Sequence, residues 1–440
     1  MSDLPPTLDA NRAARLPWLP RRIHPPESIT VREEKLLVLV GAASVIATYD
    51  LSLYSLAVVK IKQDLGIAEE DIGAFNALFR LGVVPALFLS YLSDVIGRRL
   101  LLMVTLAGAA FGTVLAGVAQ NVWEFVAAQT IARVCIYTEE LLVVVVIAEE
   151  FKERTRGWAI GALGAFGAVG GGLASAMYGL IDLLPFGWRF IYVVTAIPLI
   201  WLIWARSRLP ETARFQDRKQ AAKTDPWRWF RPAIGLATQY PGRMSLLVLT
   251  VVPFAFGMAS AVFFFPTFLQ KTHGWSPGQV AGLTLGGGVF VLFGAFAAGA
   301  LSDVVGRKAV LIGSCLITVA SFMIFYTVAD GWIALALCWI AGYFTVIMAD
   351  VLFQALGAEL FPTSYRSVAS GVREMFRVLG GAAGLVLQGQ LFLQTGDHGS
   401  AVAWLMLASP VAAIPVLFLP ETASRALETI APERGGKPGE

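Results

Sequence analysis

The chain has 440 residues, 56% of them hydrophobic and 15% charged, with a mean hydropathy of +0.67 and a formal net charge of +3. Soluble domains are about 45–50% apolar and about 25% charged, so this chain is too apolar to fold in water, and disordered, collagen-like and disulfide-scaffold classes are excluded. The charge is too small and too dispersed for a nucleic-acid partner, and Cys135, Cys315 and Cys338 sit inside apolar runs, where they read as small hydrophobes.

In chain order, residues 1–35 are rich in Pro and Arg and lack an apolar core, which predicts a tail with no cleavable signal. A bilayer core needs about 20 apolar residues per helix. Twelve runs qualify, at 36–58, 72–92, 100–119, 124–148, 158–180, 189–205, 245–269, 278–300, 309–328, 332–356, 369–393 and 401–419. Each is rich in Gly or Ala, as helices that pack closely in lipid are. The run LLVVVVIA at 141–148 does not alternate, which argues against a barrel strand. The longest internal polar stretch is 206–244, where Trp227, Trp229 and Phe230 interleave with Arg228 and Arg231, a pattern suited to the headgroup layer.

Of the 34 Lys and Arg residues, 26 fall in segments on the N-terminal side of the membrane and 4 (Lys60, Lys62, Arg189, Lys271) on the other; Arg80, Arg133, Arg373 and Arg377 lie inside spans. That asymmetry predicts both termini in the cytoplasm. The chain therefore divides into a cytoplasmic tail 1–35, a six-span half 36–206, an inter-bundle loop 207–244, a second six-span half 245–420 and a tail 421–440.

The two halves repeat one another. LSDVIGRR at 92–99 returns as LSDVVGRK at 301–308, 209 positions later. Glu149-x6-Arg156 returns as Glu359-x6-Arg366, and PETAR at 210–214 as PETASR at 420–425, each 210 positions later. An even number of spans separates the copies, so they share topology and form parallel repeats, a known transporter design. On these motifs the sequence resembles the major facilitator superfamily over nearly its full length, and within it the sugar porters and the organic acid–proton symporters. The resemblance implies an all-α integral membrane fold of twelve transmembrane helices in two parallel six-helix halves. It also implies a multi-pass transporter working as a monomer on a small-molecule substrate, with a proton gradient and no cofactor; short loops and absent sorting signals predict a bacterial inner membrane.

The same resemblance implies a cytoplasmic gate. One half contributes Asp94, Gly97, Arg98, Arg99, Glu149 and Arg156, the other Asp303, Gly306, Arg307, Glu359 and Arg366. The glycines permit tight turns, and the carboxylates and guanidiniums pair only while the cytoplasmic ends are together. Ser90 and Lys152 depart from the family pattern, which has Gly and Pro there.

A charge at the bilayer centre costs roughly 2.5–3.5 kcal/mol on insertion scales. Asp50 sits about 21 Å along the first span at about 1.5 Å per residue, and Arg80 lies at similar depth in the second. Arg133, Tyr137 and Glu140 share one face of the fourth span, and Asp350 follows Glu140 by 210 positions. Arg373, Arg377, Gly384 and Gln388 form one stripe of the eleventh, with Glu374 beside it. Internal pairing is the expectation for Glu139, Glu374 and Arg373. Sugar porters couple protons through an aspartate in the first helix and an arginine in the fourth; the resemblance carries that role to Asp50 and Arg133, with Glu140 and Asp350 as alternative carriers.

The seventh span, VPFAFGMASAVFFFPTF, has no Asn or Gln, and the tenth offers Gln354 as its one amide, a poor lining for sugar hydroxyls. Phenylalanine walls (Phe254, Phe256, Phe263, Phe264, Phe265) and intramembrane arginines suit a carboxylate instead. The expectation is proton-coupled uptake of a small organic anion, aliphatic or aromatic, contacted by Arg80, Tyr137, Arg377, Gln388 and Gln354. Sugar–proton symport, drug–proton antiport and a transporter-derived sensor are the alternatives; the fifth span lacks the Gly-Pro pair usual in antiporters. No H-E-x-x-H or G-x4-G-K-[ST] motif occurs, which excludes the corresponding metalloenzyme and ATP-driven readings.

Overall fold

The computed structural model describes residues 24–25, 27–206, 230–362 and 365–423. Its helices are α1 Val31–Leu65, α2 Asp71–Leu81, α3 Val83–Ile96, α4 Arg98–Val118, α5 Val122–Glu150, α6 Glu153–Gly179, α7 Trp188–Val194 and α8 Ala196–Arg206. They continue with α9 Phe230–Gln239, α10 Pro241–Thr272, α11 Pro277–Val305, α12 Arg307–Thr327, α13 Trp332–Glu359, α14 Arg366–Thr395, α15 His398–Met406, a 3-10 turn Ser409–Ala412 and α16 Ala413–Phe418. Most of the predicted tails (residues 1–23, 26 and 424–440) and residues 207–229, with Trp227, Arg228 and Trp229, lie outside the described residues; the first helix starts at Val31, inside the predicted tail, and the end of the loop is the helix α9.

Eleven stretches of the described residues are long and apolar enough to cross a bilayer. The fourth predicted span is the exception by composition, not by length: α5 has 29 residues but carries Arg133, Glu139 and Glu140 near its middle. Large apolar side chains such as Phe88, Phe111, Phe296 and Phe418 are exposed, the surface a chain presents to acyl tails.

Three predicted spans are each split, and each split lies four residues before a proline. α2 ends at Leu81 before Pro85, α7 at Val194 before Pro198, and α15 at Met406 before Pro410. Proline has no N–H for the carbonyl four residues back, and its ring presses on that carbonyl, so the helix yields there. α10 instead runs unbroken through Pro253 and Pro266.

The chain divides into two compact units, Met1–Ala57 with Gly82–Thr224, and Val58–Leu81 with Asp225–Glu440. In the first, Leu37 and Val40 of α1 pack with Val143 and Ile147 of α5 and Ala159 of α6. Ala43 packs with Leu106 and Ala110 of α4 and Leu199 and Leu202 of α8. In the second, α10 and α14 approach until a Cβ at Gly384 would lie 1.9 Å from the Phe256 carbonyl oxygen, so only glycine fits. α2 lies on α14 in the same way, at Gly73 against the Leu385 carbonyl.

The repeated motif is repeated structure. Gly97 (φ 113°, ψ 136°) joins α3 to α4 and Gly306 (φ 111°, ψ 146°) joins α11 to α12, each donating its N–H to the serine four residues before it. A positive φ of this kind favours glycine, so the D-x-x-G-R spacing dictates a one-residue joint between two helices in both copies.

Candidate transport site

Asp50 and Arg133 meet inside the first unit, 1% and 3% exposed. Gly112 makes this possible: a Cβ there would sit 2.7 Å from the Ala132 backbone nitrogen, so α4 lies directly against α5 beside Arg133. Thr113 Oγ1 donates to Asp50 Oδ1 at 3.1 Å, and Arg133 Nη2 donates to the Asp50 carbonyl oxygen at 3.1 Å. Arg133 Nη1 stands 3.8 Å from Asp50 Oδ2, an ionic contact beyond hydrogen-bond range. Asp50 Oδ2 and Arg133 Nε have no hydrogen-bond partner. The carboxylate is thus hydrogen-bonded at Oδ1, while Oδ2 has the guanidinium as a charged neighbour and no hydrogen bond.

One turn from Arg133 on α5, Gln129 is fully buried with neither amide atom partnered, and the Tyr192 hydroxyl is likewise without a hydrogen bond. Phe125 caps this face, with ring centroids 5.9 Å from Tyr54, 6.1 Å from Tyr192 and 5.7 Å from Trp188. Glu139 is paired with Arg206, the last residue of α8, and accepts from Thr105 Oγ1 at 3.1 Å. The internal partner that the sequence predicts for Glu139 is Arg206, the first residue of the polar stretch 206–244.

A second charged cluster lies in the second unit. Arg377 Nε donates to both Glu374 oxygens at 2.9 and 3.0 Å, and Arg373 Nη2 to Oε2 at 3.2 Å. Arg80 of α2 crosses α14 at Gly381, where a Cβ would lie 3.5 Å from its Nη1. Arg80 is in electrostatic reach of Glu374, and Asp350 of Arg373; Tyr343 of α13 feels both Asp350 and Arg80. Three guanidiniums therefore face two carboxylates. Arg373 is 6% exposed, and its Nε and Nη1 have no hydrogen-bond partner.

In the second unit, three of the residues for which the resemblance implies a gate, Asp303, Arg307 and Glu359, are in contact. Arg307 Nη1 donates to Asp303 Oδ1 at 2.6 Å and contacts Ser302 Oγ, while its Nη2 stands 3.4 Å from Glu359 Oε1. Thr422 Oγ1 donates to Glu359 Oε2 at 2.5 Å. Glu421 accepts the backbone N–H groups of Arg307, Lys308, Thr422 and Ala423 at 2.9, 3.3, 2.9 and 3.0 Å. Burial pushes the Glu421 carboxyl up, and the four N–H donors more than reverse it, holding it below the ordinary glutamate value of 4.5. Arg366 Nε donates to the Phe361 carbonyl at 3.3 Å. In the first unit Gly97 makes the turn and Arg156 is half-buried, its Nε without a hydrogen-bond partner; the side chains of Asp94, Arg98, Arg99 and Glu149 lie outside the described residues.

A family model described as the Major Facilitator Superfamily matches residues 40–385 and 247–438. The chain belongs to the major facilitator superfamily. It is 27% identical over 408 residues to a Haemophilus influenzae protein named for metabolite transport, covering 86% of this chain and 94% of that one. It is 24% identical to a Cupriavidus pinatubonensis protein named as a 4-methylmuconolactone transporter, covering 87% and 89%. Among solved structures, a D-xylose–proton symporter superposes with a TM-score of 0.71 at 17% identity, over 89% of this chain and 99% of that chain. The protein is a multi-pass membrane transporter of metabolites, not an enzyme.

Of the residues singled out in this major facilitator sequence, the structure brings together Asp50 with Arg133, Arg80 with the Arg377 cluster, and Asp303 with Arg307 and Glu359. Glu140 and Tyr137 are half-buried on α5, and Gln354 is exposed on α13. Gln388 is fully buried, its amide nitrogen 2.9 Å from His398 Nδ1. His398 stacks between Phe264 and Phe392, with centroids at 4.9 and 4.4 Å, and its Nε2 is 2.9 Å from Glu69 Oε2. Glu69, in the turn between α1 and α2, also pairs with Lys62 and Lys271. Sequence reasoning missed this cluster. Among the described residues, no three His, Cys, Asp or Glu side chains converge to hold a metal ion.

Proposed function

We propose that this transporter takes up a small organic anion together with protons, by alternating access, across the cell membrane. The observation that carries the coupling is the buried Asp50, whose Oδ1 accepts from Thr113 while Oδ2 faces the Arg133 guanidinium at 3.8 Å without a hydrogen bond. A carboxylate that alternates between an arginine partner and an apolar enclosure binds and releases a proton as the conformation changes. The anionic class is supported by the excess of one positive charge among Arg80, Arg373, Arg377, Glu374 and Asp350, and by the unpartnered donors of Arg373. Guanidinium groups bind carboxylates through paired N–H donors. The relative named for 4-methylmuconolactone transport agrees with a small organic metabolite. The Lys and Arg asymmetry supports a cytoplasmic location for both termini, and the proposal takes the monomer as the working unit.

The test is uptake into proteoliposomes with an acid exterior, across aliphatic carboxylates, aromatic carboxylates, neutral sugars and lipophilic cations. At least one carboxylate accumulates against its gradient, and Arg80→Gln or Arg373→Gln weakens that substrate by about tenfold or more, the loss expected for a charge-assisted contact. Accumulation of sugars alone, or outward movement of the cations, refutes the proposal.

A further inference from the structure

The core of the first unit holds a small cavity that the pairing of Asp50 and Arg133 does not use. It is walled by Ala43, Ile46 and Ala47 of α1, Leu106 and Ala109 of α4, Ile136 of α5 and Leu199 of α8. Its polar lining is confined to Asp50, Thr113, Glu139 and Thr195. The cavity has room for about one water molecule. Two deeply buried carboxylates, Asp50 and Glu139, 1% and 3% exposed, thus open onto one otherwise apolar space.

Their depths differ. Arg133 and Glu139 are six residues apart on α5, about 9 Å of rise at about 1.5 Å per residue. Glu139 lies on the side of the gate turn: its partner Thr105 stands on the second turn of α4, which starts after Gly97, and its partner Arg206 is the last residue of α8. Arg206 Nη2 also reaches the Leu39 carbonyl at 3.5 Å, near the start of α1. Asp50 lines this space together with Thr113, its hydrogen-bond donor, and its Oδ2 has no hydrogen-bond partner.

We infer that Glu139 is a second proton station, and that the proton leaves Asp50 through the core of this unit. The inference rests on the proton-coupled reading proposed above and adds the route. Protonated Asp50 gives its proton to a water in the cavity; that water passes a proton to the Glu139 carboxylate, which loosens from Arg206 and releases it at the gate end. One O–H bond breaks at Asp50 and one forms at Glu139; the water is restored, and one positive charge has moved. The rotatable Glu139 side chain spans what a single water leaves open. The charged and titratable groups around the two stations are Arg133, Tyr49 and Tyr192 for Asp50, and Arg206 and Cys135 for Glu139.

The experiment compares Asp50→Asn, Glu139→Gln and Ala109→Leu in proteoliposomes, each in two modes: uptake driven by a pH gradient, and counterflow of substrate at equal pH. Ala109→Leu fills the cavity while every charge stays. The inference expects Glu139→Gln and Ala109→Leu to slow gradient-driven uptake by about tenfold or more, the loss of one proton-transfer partner, with counterflow within about twofold of the parent. A Glu139 that serves only to neutralise Arg206 would leave the pH dependence of uptake unchanged. Where Glu139→Gln does not fold, Glu139→Gln with Arg206→Met restores the charge balance, and Ala109→Leu decides independently. Normal gradient-driven uptake in Ala109→Leu and in the Glu139 variant, with Asp50→Asn uncoupled, overturns the route alone. Normal gradient-driven uptake in Asp50→Asn overturns the coupling proposal itself.

Discussion

Asp50→Asn keeps the size of the side chain and removes its charge. Asparagine retains an oxygen for Thr113, and the Arg133 bond to the Asp50 carbonyl is a backbone contact that survives. The ionic contact at 3.8 Å is lost; at an effective dielectric of about 20, it amounts to about 4 kcal/mol of attraction. One-sided removal of a buried pair leaves a buried charge without its partner and typically costs about 3–5 kcal/mol, so the variant melts earlier than the parent. Its effect on transport is separable from that loss. With one proton per substrate and no net charge moved, each pH unit drives about tenfold accumulation, about 1.4 kcal/mol. A gradient of about two units therefore concentrates the substrate about 100-fold in the parent, and not at all in Asp50→Asn, while counterflow continues. The assay is radiolabelled uptake into proteoliposomes with an acid exterior. Hundredfold accumulation by a correctly folded Asp50→Asn protein refutes the assignment.

The gate and the Glu69 cluster give further expectations. Gly306→Ala forces a side chain into φ 111° with a Cβ 2.9 Å from Glu421 Oε2, a strain of about 1–3 kcal/mol; it lowers both thermal stability and uptake, whereas Gly313→Ala, with open space around it, changes neither. Equal behaviour of the two variants contradicts the role given to the turn. Because Glu421 is held below 4.5 in the folded chain, its contribution is full above that pH and fades as the pH falls through the lowered value. Glu421→Gln removes this limb from a pH series of melting curves; an unchanged acid limb would show that the carboxylate does not hold the gate. Glu69→Gln leaves Lys62 and Lys271 together without their shared carboxylate. After allowance for partial exposure, a loss of about 1–3 kcal/mol is expected, read as a lower melting temperature that no longer depends on salt as the parent's does.

The architecture was legible because it is written twice. Two copies of D-x-x-G-R fix two helix joints with the same backbone geometry, and that geometry needs the glycine. The splits at Leu81, Val194 and Met406 also follow a local rule, since each precedes a proline by four residues. The meeting of Asp50 and Arg133 was not readable from spacing; 83 residues separate them, and family likeness supplied the pair. Glu139 with Arg206, and Glu69 with Lys62, Lys271 and His398, had no likeness to supply them. Arg206 ends an apolar run and resembles a loop residue, and Glu69 lies 329 positions from His398. Gln129 carried a readable signal, four residues before Arg133 on the same helical face. The Glu421 contacts were half-legible: the P-E-T repeat marked the place, while its role depends on backbone N–H groups that sequence does not display.

Proton movement accompanying the substrate is the most direct test. Proteoliposomes carrying a pH-sensitive dye in the lumen, held without a pre-set pH gradient, receive the transported carboxylate outside. The account predicts substrate-dependent acidification of the lumen with the parent protein and none with Asp50→Asn. Entry of the carboxylate with no accompanying lumenal acidification would contradict it.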